Sequence, residues 1–496
     1  MADPRQAYDL LAKGQIDAAL VLTQALVAGS QPKEGALTAH AVVLKAHGRV
    51  QEALEVNRQV VARFPASGVA WHNLAATQGD LDLPAEAEAS ARRAINLGLS
   101  APETRLVLAR ALQSQGRLDE AETAFAAAVA ARPSYVEAHR ELAQLVWMRT
   151  ADAGAALTAL DRALASHPRD PRLQHVRATV LEYAGDLAGA RAAARAGLAA
   201  APADLQLLGT LVHLEAELDD PEAALAHAQR AVQVAPGSQP AQIILAEARL
   251  AAGDARGAAE AARAALQGAA ARQYALALLA TAWRLLGDPR YVALYDYAAF
   301  VRTYELEAPA GWIDRTSLLK DLAEALGRLH GFRTHPLSQS LRHGGQVPLR
   351  GNGSHEAPIE ALLAQLSGFA QAYARALGPG ADPFRARNSG AARIAGAWSV
   401  RLTSSGFHAD HIHPEGWISS ACYIALPEET RDPAARAGWL KFGEPGVRTH
   451  PSLGPEHFVE PLAGRLVLFP SYMWHGTVPF VSQAPRLTVA FDAVPA

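Results

Sequence analysis

The sequence has little cysteine, methionine or aromatic content: one Cys, three Met and 6% aromatic residues in 496. The single thiol, Cys422, cannot form a disulfide within the chain, and such sparse cysteine use is typical of a reducing compartment. The sequence also lacks an apolar run of about eighteen residues, the length that a transmembrane helix needs. Its first residues lack the charged and apolar regions of a secretory signal. These absences predict a cytoplasmic protein with no membrane partner.

Charge of either sign is not in excess, because 46 Lys and Arg residues are balanced by 49 Asp and Glu residues. The formal net charge of −3 provides no basic field, so a nucleic-acid partner is not expected. Half of the residues are hydrophobic and 19% are charged, which is the composition of a globular protein rather than a disordered one. The length predicts at least two domains, because one domain usually has about 100–200 residues.

The first part of the chain is an internal repeat with a step of 34 residues, except for one step of 35. Its nine anchor positions are Gly14, Gly48, Asp82, Gly116, Ala151, Gly185, Asp219, Gly253 and Gly287. An alanine stands five positions after each of the first eight: Ala19, Ala53, Ala87, Ala121, Ala156, Ala190, Ala224 and Ala258. A proline stands seventeen positions after five of them: Pro65, Pro133, Pro168, Pro202 and Pro236. Small residues allow two antiparallel helices to approach closely after a turn, and proline ends the second helix.

This period resembles the tetratricopeptide repeat, a pair of helices of about 34 residues. The resemblance implies an all-α solenoid, which we predict over residues 1–304. Stacked repeats of this kind offer a long groove for an extended peptide or a partner helix. We therefore expect a protein or peptide partner in the repeat groove. An array that serves only as a spacer or an oligomerisation arm remains the alternative, and the sequence does not define the oligomeric state.

From residue 396 onwards the pattern changes to short runs rich in Val, Ile and aromatic residues and bounded by Gly, Pro or Ser. The predicted strands are 398–402, 416–426, 438–442, 458–461, 465–469, 475–480 and 487–494. Two helical patterns precede them, at 317–329 and 359–377, and the stretch 335–358 between them is predicted to be a site loop or an exposed connector. The second domain is therefore predicted over 305–496, as supporting helices and a double-stranded β-helix (jelly-roll) core at about 395–496.

Candidate metal ligands concentrate in this second domain. His408, Asp410, His411 and His413 fall within six positions, and His475 follows a predicted strand. Two His and one carboxylate on one face of the metal are typical of a non-haem iron(II) centre. Along a strand, positions 408 and 410 face one side while 411 and 413 face the other. We favour His408, Asp410 and His475, because a carboxylate balances the charge of iron(II). The alternative pair, His411 and His413, gives a three-histidine site with His475.

The motif His408-Ala-Asp410, followed by His475 and Arg486, resembles the core of the iron(II)- and 2-oxoglutarate-dependent dioxygenases. The pattern is closest to the prolyl 4-hydroxylase-like branch and to bacterial proteins that fuse tetratricopeptide repeats to such a domain. The resemblance implies Fe(II) and 2-oxoglutarate as cofactors and O₂ as cosubstrate, with no catalytic side chain beyond the metal centre. It implies that Arg486 binds the far carboxylate of 2-oxoglutarate, with Tyr423 and Thr488 as neighbouring hydroxyls.

The resulting prediction is a 2-oxoglutarate-dependent dioxygenase that hydroxylates a C–H bond, on a protein or peptide that the repeats hold. Two alternatives stay open. One is a non-catalytic repeat scaffold with an inactive jelly roll. The other is a three-His metal dioxygenase that does not use 2-oxoglutarate. The identity of the substrate and the position that is hydroxylated are not defined by the sequence.

Overall fold

The computed structural model describes residues 3–29, 31–268, 272–349 and 356–496. The chain divides into two compact units, Met1–Leu145 and Val146–Ala496. The second unit contains later repeat helices as well as the β domain, so these two parts pack together within one unit. Among the described residues, no helix is both long and apolar enough to cross a membrane.

Paired helices form the N-terminal part of the chain, as the repeat predicts. They are α1 (Pro4–Ala12), α2 (Ile16–Val27), α3 (Glu34–Ala46), α4 (Val50–Arg63), α5 (Gly68–Asp80), α6 (Pro84–Asn96), α7 (Pro102–Ser114), α8 (Leu118–Ala131), α9 (Val136–Thr150), α10 (Ala153–Ser166), α11 (Pro171–Tyr183), α12 (Leu187–Ala200), α13 (Leu205–Glu217), α14 (Pro221–Val234), α15 (Gln239–Ala251), α16 (Ala255–Ala265), α17 (Arg272–Leu286), α18 (Arg290–Leu294) and α19 (Tyr297–Phe300). The N-terminal part is therefore a helical tetratricopeptide solenoid.

The repeat anchors owe their positions to backbone geometry. All nine have positive φ, from 55° at Asp82 to 88° at Gly185, which is the left-handed conformation that closes a helix and favours glycine. The eight alanines that follow the anchors are buried, with Ala156 the most exposed at 3%. The five repeat prolines each lie two residues after the last residue of α4, α8, α10, α12 or α14. Turn geometry, close helix packing and helix termination therefore recur at the spacing that the sequence predicts.

The C-terminal part contains two further helices, α20 (Arg315–Leu329) and α21 (Ala357–Leu377), and two 3₁₀ turns, Arg385–Arg387 and Glu428–Arg431. Its strands are β1 (Arg302–Glu305), β2 (Leu341–Pro348), β3 (Ala392–His408), β4 (Ile418–Ala425), β5 (Leu440–Phe442), β6 (His457–Val459), β7 (Arg465–Pro470), β8 (His475–Thr477) and β9 (Arg486–Pro495). Both helical patterns and all seven strand patterns that the sequence predicts correspond to observed elements. The domain boundary predicted between residues 304 and 305 falls inside β1.

The strands form two antiparallel sheets. One has the order β1-β7-β4-β9-β3-β2, and the other has the order β6-β5-β8. An isolated antiparallel bridge between His411 and His475 lies outside the longer strand pairings. This antiparallel domain is consistent with a jelly roll. Its long central strand β3 pairs with β9, which places Leu402 opposite Arg486 and Val400 opposite Thr488.

Part of the stretch 335–358 that we predicted to be a loop is the edge strand β2, so that prediction was wrong for 341–348. Gly344, Gly345 and Pro348 gave this segment a turn-like composition, but pairing with β3 overrides the local preference. A Cβ atom on Gly344 would lie 2.3 Å from the carbonyl oxygen of Arg401. Glycine is therefore required by a close approach to the neighbouring strand rather than by a turn. Residues 350–355 of this stretch lie outside the described residues.

Helix α17 and the aromatic segment that follows it pack against the β domain. The indole N–H of Trp474 donates to Thr281 Oγ1 at 2.9 Å, and the Trp474 backbone N–H donates to the Tyr295 hydroxyl at 3.1 Å. Arg284 donates to the backbone carbonyl oxygens of Gly443 and Gly454, at 2.8 and 2.9 Å. The last repeat helix therefore fixes the backbone immediately before His475.

Candidate metal centre

The candidate ligands lie where β3 ends. The strand stops at His408, so the alternation of faces that we assumed along 408–413 does not apply beyond that residue. His411 instead forms the bridge to His475: its N–H donates to the His475 carbonyl at 2.9 Å, and the His475 N–H donates back at 3.1 Å. The backbone of His413 is held separately, by donation to the Ser471 carbonyl at 3.0 Å. The loop thereby brings two histidines towards His475.

The rings of His411, His413 and His475 form one cluster. In the described part of the chain, one ligand atom from each lies within 4.8 Å of the other two. His411 Nδ1 lies 2.8 Å from the Ala409 carbonyl oxygen, and His475 Nδ1 lies 2.9 Å from the Met473 carbonyl oxygen. A carbonyl can only accept, so both Nδ1 atoms carry the proton and both Nε2 atoms are unprotonated. This tautomer leaves the Nε2 lone pair of each ring free to bind a metal.

His413 is oriented by a carboxylate. Its Nδ1 lies 2.6 Å from Asp492 Oδ1, and the Ser419 hydroxyl donates to the same oxygen at 2.8 Å. Ser419 also hydrogen-bonds Ser471 at 2.9 Å. A carboxylate on the outer nitrogen fixes the ring, leaves Nε2 for a metal and raises its basicity. The sequence analysis missed Asp492, although its position six residues after Arg486 puts both on the same face of β9.

The arrangement of the three imidazoles suits a bound divalent cation. His411 Nε2 and His413 Nε2 lie 3.2 Å apart, and both outer nitrogens already donate, so the two inner nitrogens point towards the same space. Burial holds the pKa of His411 and of His475 well below the ordinary value, so these two rings are uncharged near neutral pH. Three imidazoles whose inner nitrogens can reach one point are a donor set that suits iron(II).

His408 and Asp410 have other partners. His408 Nδ1 lies 3.0 Å from the Ser340 hydroxyl, and its ring stacks on that of His411 with centroids 5.7 Å apart. Burial lowers the pKa of His408 to about 3. The Asp410 carboxylate accepts a hydrogen bond from Lys441 Nζ at 2.8 Å, while burial raises its pKa to about 6. Within the described residues, neither joins the three-imidazole cluster. Their predicted role as metal ligands stays a prediction.

Arg486 lies in the same cavity and has no anionic partner among the described residues. It is 2% exposed, and its Nε has no hydrogen-bond partner in the part of the chain that the structure describes. Its guanidinium lies 5.1 Å from the centre of the Tyr423 ring, and burial lowers the pKa of Arg486. A buried guanidinium without a counter-ion is costly, so this position suits an anionic ligand. Thr488, two residues further along β9, lines the same cavity.

The cavity has a volume of about 680 Å³, large enough for a cosubstrate and part of a second molecule. Alternate residues of β9 line it, namely Arg486, Thr488, Ala490 and Asp492. Three lining residues come from the repeat helices: Glu182, Tyr183 and His213. The sequence analysis did not identify these three, because no local pattern links α11 and α13 to a strand more than 200 residues later. The repeats of the second unit therefore supply one wall of the candidate site.

Comparisons with known proteins agree with this two-part organisation. Residues 396–492 match a family described as "Putative 2OG-Fe(II) oxygenase", and residues 106–171 match the tetratricopeptide repeat family. The chain therefore combines a tetratricopeptide repeat region with a region that matches that oxygenase family. None of the curated proteins compared matches the chain.

Solved structures similar to this chain include tetratricopeptide repeat proteins. PilF of Pseudomonas aeruginosa is 18% identical with a TM-score of 0.32, covering 43% of this chain and 97% of its own. Yeast Tom70 is 16% identical with a TM-score of 0.45, covering 58% of this chain and 61% of its own. A tetratricopeptide repeat protein from Parabacteroides merdae is 15% identical with a TM-score of 0.35, covering 55% of this chain and 95% of its own.

Proposed function

We propose that this protein is an Fe(II)- and 2-oxoglutarate-dependent dioxygenase that hydroxylates a C–H bond, with iron held by His411, His413 and His475. One observation carries the proposal: three imidazoles with converging Nε2 atoms share a cavity with a buried, unpaired arginine. The cluster provides a metal site with open positions, and Arg486 provides a cationic anchor for a dicarboxylate. The match of residues 396–492 to the oxygenase family supports the same conclusion.

The side chains of this domain would bind 2-oxoglutarate, orient it and shield the site from water. When bound, Fe(II) supplies the O₂ chemistry that couples decarboxylation of 2-oxoglutarate to succinate and CO₂ with hydroxylation of the substrate. Arg486 would pair with the far carboxylate of 2-oxoglutarate and so fix the direction in which the 2-oxo acid enters. Tyr423 holds the guanidinium from behind, and Thr488 provides a hydroxyl beside it. The rings of Phe442 and Phe469 pack on His475, with centroids 6.3 and 4.6 Å away, and exclude water from that side.

The charge of the site is consistent with a dianionic cosubstrate. Three neutral imidazoles leave the charge of iron(II) uncompensated, whereas a set with one carboxylate would compensate half of it. In the three-imidazole set, Asp492 is the carboxylate that contacts a candidate ligand, at 2.6 Å from His413. The two carboxylates of 2-oxoglutarate would then balance the metal and Arg486 separately. This balance predicts that metal and cosubstrate bind cooperatively.

The test is direct binding. Anaerobic titration of the Fe(II)-loaded protein with 2-oxoglutarate should produce a visible charge-transfer band, and slow succinate formation should follow when O₂ is admitted. Arg486→Gln should weaken 2-oxoglutarate binding by about 10- to 100-fold, because it removes a charge-assisted bidentate contact, and should leave iron bound. Arg465→Gln is the matched control, since Arg465 pairs with Glu305 on the exposed side of the sheet. Absence of both band and succinate in fully metallated protein would contradict the proposal and favour an inactive scaffold.

We further infer that the substrate is a protein or peptide segment presented by the repeats. The supporting observation is that α11 and α13 contribute Glu182, Tyr183 and His213 to the wall of the cavity. A segment bound along these helices would enter the cavity without leaving the repeats. Incubation of the iron-loaded protein with a peptide library, 2-oxoglutarate and O₂ should yield peptides that gain one oxygen atom. A library that stays unmodified while free small acids are hydroxylated would reject the peptide substrate.

A second candidate function is a three-His metal dioxygenase that does not use 2-oxoglutarate. The all-imidazole cluster favours it, whereas the unpaired Arg486 favours the dicarboxylate-dependent reaction. Oxygen consumption separates the two. Substrate-dependent O₂ uptake that is unchanged when 2-oxoglutarate is omitted would select the second candidate, and uptake that requires 2-oxoglutarate would select the first.

A further inference from the structure

Arg342 stands at a break in the edge strand β2. Its Cα partner on β3 is Phe407, but the next paired residue, Gly344, lies opposite Leu402, so the register shifts between them. His343, between the two, has a φ of 53°, a conformation that few non-glycine residues adopt. Bulges of this kind turn a side chain in a new direction and are frequent beside active sites. Here the bulge accompanies the placement of Arg342 on the wall of the cavity.

The guanidinium of Arg342 is fixed from two sides. Its Nη1 donates to the carbonyl oxygens of Gln339 and Leu341, at 2.7 and 3.0 Å. Its central carbon lies 4.6 Å from the centre of the Tyr183 ring, at the end of α11. These contacts hold the plane of the group but occupy one nitrogen, while a guanidinium has five N–H donors. The N–H groups on the other nitrogens can donate to both oxygens of a carboxylate in a bidentate arrangement.

The segment that leads to Arg342 is anchored on the repeats. The backbone N–H groups of Arg333 and Thr334 both donate to the Met148 carbonyl, at 2.8 and 3.2 Å. The buried ring of His335 packs edge-on against Trp147, with centroids 5.5 Å apart, and lies 6.3 Å from Tyr183. The position of Arg342 is therefore fixed relative to the repeat helices as well as to the strands.

The acids near the cavity do not neutralise Arg342. Across the described ranges, no carboxylate forms an ion pair with it. Glu182 instead pairs with His213 at 3.3 Å, Asp410 pairs with Lys441 at 2.8 Å, and Asp492 pairs with His413. Glu415 also lines the cavity and is exposed at the turn after His413. Among the described residues, the cavity thus contains two arginines without a carboxylate partner, Arg486 on β9 and Arg342 opposite Tyr183.

We propose that Arg342, stacked on Tyr183, is the binding site for a carboxylate of the substrate, and that this protein acts on acidic substrates. The inference rests on the proposed function in one respect, because it takes Arg486 as the anchor of the cosubstrate. Arg486 then binds a carboxylate of 2-oxoglutarate, and Arg342 binds a carboxylate of the substrate. The carboxylate belongs to an Asp or Glu side chain of a peptide or to a free carboxylic acid, and the same contact recognises both sources.

Binding is measured by calorimetry on the full-length, Fe(II)-loaded protein, without O₂ and with saturating 2-oxoglutarate. The probes are the capped peptide acetyl-Ala-Asp-Ala-amide and the free acid N-acetyl-aspartate α-amide, each with one carboxylate, and the uncharged controls contain Asn in place of Asp. The wild-type protein should bind the Asp probes and bind the Asn probes at least about 10-fold more weakly. Arg342→Gln should weaken binding of the Asp probes by about 10- to 100-fold, as expected for a hydrogen bond to a charged group. A peptide that binds much more tightly than the free acid identifies the peptide source, and equal affinities identify the free acid.

Matched variants distinguish recognition from loss of structure. Arg342→Lys keeps the charge and should lose the bidentate part of the affinity alone. Tyr183→Leu should weaken binding of the Asp probes, whereas Tyr183→Phe, which keeps the ring, should bind them as tightly as the wild-type protein does. Arg436→Gln is the control for a stacked arginine elsewhere in the domain, since Arg436 lies 4.2 Å from the Phe458 ring centre. Arg436→Gln should leave the affinity for the Asp probes unchanged.

Two patterns of results separate this inference from the proposed function. If probe binding falls in Arg486→Gln and not in Arg342→Gln, the cavity has one carboxylate site and the inference is overturned. Binding of Asp and Asn probes with equal affinity overturns it as well. If 2-oxoglutarate does not bind but the Asp probes still depend on Arg342, the proposed function fails and the carboxylate site stands.

Discussion

Separate replacements of Asp410, Asp492 and His413 decide which side chains hold the metal. In the three-imidazole set, His413 is a ligand, Asp492 orients it at 2.6 Å, and Asp410 is bound to Lys441 at 2.8 Å. Asp410→Asn should then leave Fe(II) affinity within about 3-fold of wild type. Asp492→Asn should lower it by about 10- to 100-fold, the usual effect of an outer partner of a metal-binding histidine, which is about 1.4–2.8 kcal/mol. His413→Ala should lower it further still.

The size of the Asp492 effect follows from the contacts of one oxygen. Asp492 Oδ1 accepts from both His413 Nδ1 and the Ser419 hydroxyl. The Asn oxygen can accept from both groups as well, so Asp492→Asn removes the charge and keeps the geometry. Asp492→Ala removes the acceptor too and frees the His413 ring to take the other tautomer. Its effect should therefore exceed that of Asp492→Asn, and the difference reports the contribution of orientation.

The assay is equilibrium dialysis against Fe(II) without O₂, with bound metal determined by elemental analysis. His475→Ala is the shared control, because His475 belongs to both candidate ligand sets and its loss should abolish binding in either. Loss of most iron in Asp410→Asn, together with near wild-type iron in His413→Ala, would refute the three-imidazole set. It would restore His408, Asp410 and His475 as the ligands.

Three further predictions concern stability and the junction of the two parts. Ala151→Gly should stabilise the fold by about 0.5–1 kcal/mol and Gly48→Ala should destabilise it by about as much in urea unfolding, because both residues have positive φ, 59° and 81°. Burial lowers the pKa of His335 to about 4 from 6.5, so the unfolded chain binds more protons between these values. His335 should therefore contribute up to about 3 kcal/mol to the fall in unfolding free energy as pH drops from 6.5 to 4, and His335→Phe should reduce the slope by that share. Thr281→Val leaves the buried Trp474 indole N–H without its acceptor and should cost about 1–3 kcal/mol in thermal unfolding measurements.

The repeats were predictable because their constraints are local. A positive φ at the anchor, a small buried residue five positions later and a proline after the second helix all act within one helix pair. The strands from β3 onwards were predictable for a similar reason, since β-branched and aromatic residues are bounded by turn residues. The strand β2 was not, because Gly344 and Gly345 are selected by the approach of β3 rather than by their own preference.

Which histidines cluster with His475 was harder to predict, because it depends on where β3 stops. Had the strand continued past His408, residues 408 and 410 would have shared a face, as the alternation of side chains requires. The strand ends there, and the bridge between His411 and His475 sets the direction of the following loop. That bridge joins residues 64 positions apart, so the spacing of residues within 408–413 cannot predict it. The cavity residues Tyr183 and His213 could not be predicted either, because they too are far in sequence from the strands that they face.

The candidate metal centre also depends structurally on the repeats, and this limits what a deletion can show. His475 follows Trp474, whose indole and backbone N–H groups are held by Thr281 and Tyr295. Removing residues 1–304 would expose these groups and release the strand that carries the candidate ligand His475, so lost activity would not show that the repeats deliver the substrate. Tyr183→Leu avoids this confusion, because it changes the cavity wall on α11 and leaves the support from α17 intact. Loss of coupled turnover in that variant, with iron and 2-oxoglutarate still bound, would therefore be attributable to substrate recognition.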